Sequence, residues 1–263
     1  TMGAVTAGTG GNGNVTLTNA GAGSDITLNG TVQATNAALA DTAAAITANS
    51  GRDIRIGSTS NLSALTSGAI VLTAARDVDL KVNDGGGSNA ANSISAAGNV
   101  AMTATGGQIT RTDGDAVSAS ARTIDLLAGT TIAPGGGGSF NATTGSLQFT
   151  AGSTLNTTSL GMTAAQNIVL NAAGITGSNL NATAGFIDVN SSTGVGLGAL
   201  SAAGAINVDG AASISLGALT SSSGAIALTS TGAASDITLG ASVSTTGNTI
   251  NVNSGRDIRI GST

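Results

Sequence analysis

Three aspartates open copies of one short phrase: Asp25 in Asp-Ile-Thr-Leu, Asp53 in Asp-Ile-Arg-Ile and Asp77 in Asp-Val-Asp-Leu. Asp53 and Asp77 are 24 residues apart, with Asp25 the candidate for an equivalent place one repeat earlier. Stacked carboxylates about 5 Å apart would repel one another or hold a hard cation. Arg52 and Arg76 stand beside two of them, and Arg55 falls over Asp79 in the same register. That pattern reads as a solvated turn-capping ladder with pairing between repeats, each exposed pair contributing ~0–1 kcal/mol.

A second constellation gathers Arg111, Asp113 and Asp115, followed by Arg122 and Asp125. Two carboxylates can act as acid and base on a glycosidic bond. These lie partly on a glycine-containing loop, however, and no aromatic nearby offers a face for a sugar ring. The segment 10–18 approximates a calcium-binding nonapeptide, but Asn14 stands where the aspartate ligand belongs and the motif occurs once. The Asn-x-Ser/Thr sequons at Asn14, Asn141 and Asn181 carry no weight in a chain so rich in these residues.

Composition narrows the chemistry further. Histidine and cysteine are absent, which removes Ser-His-Asp and Cys-His nucleophiles, soft metal sites and any disulfide framework. Glutamate, tryptophan and tyrosine are also missing, and Lys81 is the only lysine. Eight basic residues against thirteen aspartates give a net charge of −5, with no basic patch for nucleic acid. No apolar run is long enough to span a bilayer, and Thr1-Met2-Gly3 opens no leader-like segment. We therefore expect no catalytic, cofactor-binding or metal-binding residues and no cofactor.

The elements that carry these residues follow from a repeat. Gly-x-Ile-x-Leu-like strands occur at 13–17, 68–72, 98–102, 145–149, 185–189, 204–208 and 224–228. They alternate with the Asp-Ile-x-Leu form at 25–28, 53–56, 77–80, 213–216, 236–239 and 257–260. The first apolar positions, one per repeat, are Val15, Ile46, Ile70, Val100, Ile124, Leu147, Ile168, Ile187, Ile206, Ile226 and Ile250, spaced 19 to 31 residues apart. Alternation of period two predicts short strands, and repeats of this length with two or three strands predict a β-solenoid of about 11 coils. At ~4.8 Å per coil the rod would be roughly 50 Å long.

Ile54, Ile70, Ile168, Ile206 and Ile226 should point inward, and Phe149 should enter the core beside coils carrying Met102 and Leu170. The outward ladder, Thr16, Thr47, Val71, Ala101, Asp125, Gln148, Val169, Asp188, Asn207, Ala227 and Asn251, is mixed rather than the threonine array that ice binding requires. Segments 84–93, 110–116 and 133–139 should bulge as loops, with Pro134 outside any central strand.

A longer period overlies the coils. Residues 49–59 recur letter for letter at 253–263, an offset of 204, and 18–32 resemble 229–243 at an offset of 211. The difference reflects a seven-residue insertion near 36–45. We read 1–263 as a single segment in which residues 11–59 return at 222–263, one and a fraction periods of a longer array. The first strand, at 13–17, and the last, at 257–260, are ordinary coil strands without polar caps.

The Gly-Ala-Ile-x-Leu and Asp-Ile-x-Leu strands resemble the repeat regions of filamentous-haemagglutinin-like exoproteins of two-partner secretion, and are similar to autotransporter passenger domains. The resemblance covers essentially the whole chain. It implies a right-handed parallel β-helix, Gram-negative-type export to the cell surface, and a role in adhesion, aggregation or as a stalk. It carries no catalytic residue. The expected function is a non-enzymatic structural or adhesive rod, self-associating head to tail or continued covalently, with a host-cell, neighbouring-cell or glycan surface as its target. A β-helical polysaccharide lyase or hydrolase, or an ice-binding solenoid, is the alternative.

Overall fold

In a computed structural model, residues 1–8, 12–35, 44–82, 91–113, 115–135 and 137–261 are described. They form an all-β parallel solenoid of about ten turns, built from three sheets of 11 strands each. Every strand pair is parallel, and each strand hydrogen-bonds to the equivalent strands one turn before and after.

Coil 1 comprises Val15–Asn19, Ile26–Leu28 and Val32–Thr35; coil 2 comprises Ala44–Ser50, Ile54–Ile56 and Leu62–Leu65. Numbering onward in this way, coil 3 begins at Ala69–Ala74, coil 7 at Ile168–Ala172, coil 10 at Ile226–Ser230 and coil 11 at Ile250–Ser254. A short strand, Val5–Ala7, precedes coil 1 and pairs with Val32–Thr35, so the strand expected first in the chain is second. The last strand is Ile258–Ile260.

The first sheet reproduces the expected ladder: Val15 pairs with Ile46, Ile46 with Ile70, and so on to Ile250, with one register shift between Ala44 and Ile46 just ahead of the inward position. The outward residues from Thr16 to Asn251 stack in the same order. Ile54, Ile70, Ile168, Ile206 and Ile226 have no solvent exposure at all. Full burial of such a side chain is worth ~1.5–3 kcal/mol, and the stack repeats that gain along the rod. Phe149 is buried, with Leu126 and Leu170 as its immediate stacking partners; Met102 lies one coil further away. Phe140, from the third sheet, meets Phe149 edge to face at 5.6 Å across the core.

The second sheet carries the Asp-Ile-x-Leu strands and continues through coils where that phrase is absent, as Ile109, Ile132, Leu155, Ile175 and Val195. The third sheet uses a weaker phrase, Leu-x-Ala, as in Leu62–Leu65, Leu180–Ala182 and Leu200–Ala202. At the bend between first and second sheets the inward position holds only small residues: Ala74, Ala104, Ala128 and Ala151, then Ser191, Gly210 and Ser230. There the serine hydroxyls donate to carbonyls across the corner, Ser191 to Ala173 at 2.6 Å and Ser230 to Ala212 at 2.8 Å.

The expected loops are shorter than their segments. Asn92 and Ser93 belong to the strand Asn92–Ala96, Thr110 to Ile109–Thr110 and Ser139 to Ser139–Ala142. Parallel pairing recruits the loop ends because it leaves their backbone groups no cheaper partner. Buried Asn92 fastens the returning chain by donating to the carbonyls of Gly57 and Leu80, both at 3.0 Å. Pro134 follows the strand Thr131–Ala133. Residues 84–90, most of the insertion near 36–45, and residues 10 and 11 of the nonapeptide-like segment lie outside the described residues.

Candidate functional site

The residue just before the first inward side chain of a strand occupies a recurrent slot. Its side-chain oxygen accepts the backbone N–H of the equivalent residue one coil on. Asn61 does this for Ser93 at 2.7 Å, Asn167 for Phe186 at 3.1 Å, Asn179 for Ala199 at 2.8 Å and Ser146 for Asn167 at 3.2 Å. Asp77 fills the same slot toward Gln108 at 3.0 Å, and Asp53 toward Asp77 at 3.4 Å. The aspartates of the Asp-Ile-x-Leu strands are thus charged members of a larger set of backbone clips.

What the charge adds is a clamp between coils. Asp25, Asp53 and Asp77 stack in register, as expected. Arg52 of coil 2 grips Asp25 of coil 1 through Nε and Nη2, both at 2.5 Å. Arg76 of coil 3 grips Asp53 of coil 2 in the same fork, at 2.8 and 2.5 Å. The register of Arg55 over Asp79 is as read from sequence, but its guanidinium turns back to Asp53 at 2.9 Å and Asp25 at 3.3 Å. Coils 10 and 11 repeat the arrangement: Arg256 grips Asp236 at 2.8 and 2.5 Å, and Arg259 reaches Asp236 at 3.0 Å and Asp257 at 3.1 Å.

The ladder is not solvated throughout. Asp53 is only 2 % exposed, because it is covered by coils on both sides. Burial pushes its carboxyl upward, yet Arg76 and Arg55 outweigh this and hold it below the ordinary carboxylate value. The hydrogen bonds from Arg52 and Arg256 depress Asp25 and Asp236 likewise. Bidentate guanidinium–carboxylate geometry fixes direction as well as energy.

The loop carboxylates are occupied differently. Asp79 is pushed above its ordinary value by burial, while accepting the Thr112 hydroxyl at 2.6 Å and the N–H groups of Thr112 and Lys81 at 3.1 and 3.2 Å. Asp113 accepts the N–H of Asp115 at 3.1 Å in a local turn. Arg111 donates to the Asp115 carbonyl, and the buried Lys81 ammonium lies 3.7 Å from the Asp115 carboxylate. Asp125 stands apart on the outward face of the first sheet, where desolvation raises its carboxyl. The structure therefore brings Arg111, Asp113 and Asp115 together with Asp79, Thr112 and Lys81, which the sequence reading had not joined to them. It leaves Arg122 and Asp125 on coil 5 and its approach.

An open groove of about 560 Å³ runs across coils 6 to 10, lined among others by Thr150, Asn171, Asn190 and Asp209. Asn190 donates to Asn171 at 3.1 Å, so part of this polar row is joined to itself. Among the described residues no group of three or more acids could hold a metal ion, and no helix is long and apolar enough to cross a membrane. The chain is a β-helix repeat region by its fold, and comparison with family models, curated proteins and solved structures returns no match for it.

Proposed function

We propose that this chain is a non-enzymatic structural or adhesive rod of a secreted or cell-surface protein, related in plan to filamentous-haemagglutinin-like repeat regions and autotransporter passengers. On this reading it belongs to a longer fibre, continued covalently or by end-to-end association, and presents its flanks to a cell or glycan surface. The observation that carries the reading is the slot: the chain's most chemically suggestive carboxylates do the same work as Asn61, Asn167 and Ser146 elsewhere. Their charge is spent on the neighbouring coil.

The long repeat supports it too. Residues 49–59 and 253–263 fall on coils 2 and 11, so the period is nine coils, or ~43 Å at a strand spacing of ~4.8 Å. Electron microscopy of the native protein should show rods or filaments with that axial period. The test against chemistry is an assay on acidic polysaccharides: turnover abolished by Asp113→Ala would replace the rod by an enzyme built on the cluster around Lys81.

A further inference from the structure

Coils 2 and 11 share the sequence Asn-Ser-Gly-Arg-Asp-Ile-Arg-Ile-Gly-Ser-Thr, at 49–59 and 253–263. One of them is seen covered. Coil 3 lies over coil 2, closing Ile54 and Ile56 under Val78 and Leu80 so that none of the four is exposed. The Ile54 N–H donates to the Asp77 carbonyl at 2.9 Å, and Arg76 grips Asp53. On the corresponding face of coil 11, Ile258 is 47 % and Ile260 72 % exposed, and the Asp257 side chain is 53 % exposed.

We propose that the far face of coil 11 takes a coil of the residue 69–80 type, supplied by the same polypeptide and carrying an arginine at the place of Arg76. This rests on the tandem-rod reading above. What carries it is the identity of two coils, one of which displays its own cover, wherever the polypeptide itself ends. The competing occupant is the opposite end of a second copy, and its chemistry does not fit. Coil 1 is already covered there, Leu28 by Met2 and Val32–Thr35 by Val5–Ala7, so Thr1–Ala7 would come over coil 11, and that segment holds no arginine. Asp257 would then lack the guanidinium fork that joins Asp25, Asp53 and Asp236 to the coil above each of them. Within this rod each Arg-Asp coil accepts an acid below only by bringing a base with it.

The test compares three proteins: the 263-residue chain, the chain extended after Thr263 by a second copy of residues 60–82, and that extension with its copy of Arg76 changed to serine. Hydrogen exchange at the Ile258 amide is read by NMR together with sedimentation. The arginine-bearing extension should slow Ile258 exchange by about a hundredfold or more. The serine version should give back at least about tenfold of that protection. Three results would overturn the proposal: an extension that leaves Ile258 unprotected, a serine version that protects Ile258 equally, or an unextended chain that associates end to end with Ile258 fully protected. Glycan turnover would sink the rod reading and leave this coil pairing standing, so the two failures are separable.

Discussion

Coils 1 to 4 and coils 6 to 9 have the same core but are held together by different surface chemistry. In the second sheet of coils 1 and 2 the clip before the strand is an aspartate locked by an arginine of the next coil, Asp25 by Arg52 and Asp53 by Arg76, while Asn61 keeps a neutral clip in the third sheet. In the late coils it is Ser146, Asn167 or Asn179, which accepts a backbone N–H and asks nothing of the neighbour's side chain. The spacing differs as well: 31, 24 and 30 residues between successive first-sheet positions early on, against 19, 19 and 20 around coils 7 to 9. A neutral clip makes neighbouring coils interchangeable, whereas a charged one selects which coil may follow. The early region is thus addressed, and the late region is uniform.

The largest effect should ignore this difference. Ile70→Asp and Ile206→Asp each bury an unpaired charge in the same ladder, and each should cost at least ~3 kcal/mol in denaturant unfolding. If Ile70→Asp costs under ~1 kcal/mol while Ile206→Asp unfolds the protein, the early coils are not packed as the later ones are.

The next effect should separate the regions. Asp53→Asn keeps the clip to the Asp77 N–H but strips Arg76 and Arg55 of their charged partner, at an expected cost of ~1–3 kcal/mol. Asn167→Asp keeps an acceptor for the Phe186 N–H and should stay within ~1 kcal/mol of the parent. Equal costs would mean that the arginines add nothing to the slot.

Acid should open the same seam. Asp25, Asp53 and Asp236 are depressed in the folded protein, so their stabilisation is complete above the ordinary aspartate value of about 3.9 and fades as pH falls through their folded values. Asp79 and Asp125, raised by burial, work in the opposite direction and regain stability on protonation. Amide protection factors, which remove the intrinsic slowing of exchange in acid, should fall between pH 6 and pH 2 at Ile26, Ile54 and Ile237 before they do at Ile187 and Ile206. A uniform fall along the rod would show that the paired aspartates do not set its acid limit.

The smallest effect concerns the turns. Thr66 holds φ at 70°, an uncomfortable value for a β-branched residue, just before Gly68 at 89°. Thr66→Gly should stabilise the early region by up to ~1 kcal/mol, whereas Gly68→Ala should destabilise it by at least as much. Opposite signs would place the turn elsewhere.

The first-sheet ladder was legible in sequence because glycine turns and Ile-x-Leu alternation mark all but a few of its strands. The third sheet was not, since in Leu180–Ala182 or Leu219–Ser221 the second inward residue is alanine or serine and the period-two signal falls to a single apolar position. Of the charged ladder, the stacking of Asp53 on Asp77 and the nearness of Arg52 and Arg76 could be read. The depth of Asp53 could not, because it depends on a coil lying to each side. The equivalence of Asp77 with Asn61 and Ser146 was hidden because three side chains of different charge meet one backbone N–H. Seen afterwards, the signal is the polar residue immediately preceding the first inward apolar one.

The nine-coil period has a genetic consequence. Recombination between the stretches encoding 49–59 and 253–263 adds or removes 204 residues, and the join falls inside a coil already present twice. A lengthened product sets coil 11 against a new copy of coil 3, the junction that coils 2 and 3 already make. Chains descended from one another by such exchanges would differ in reach by whole multiples of ~43 Å and carry no new contact between coils. Length in this architecture can be inherited in steps, with the folding problem at each step solved beforehand.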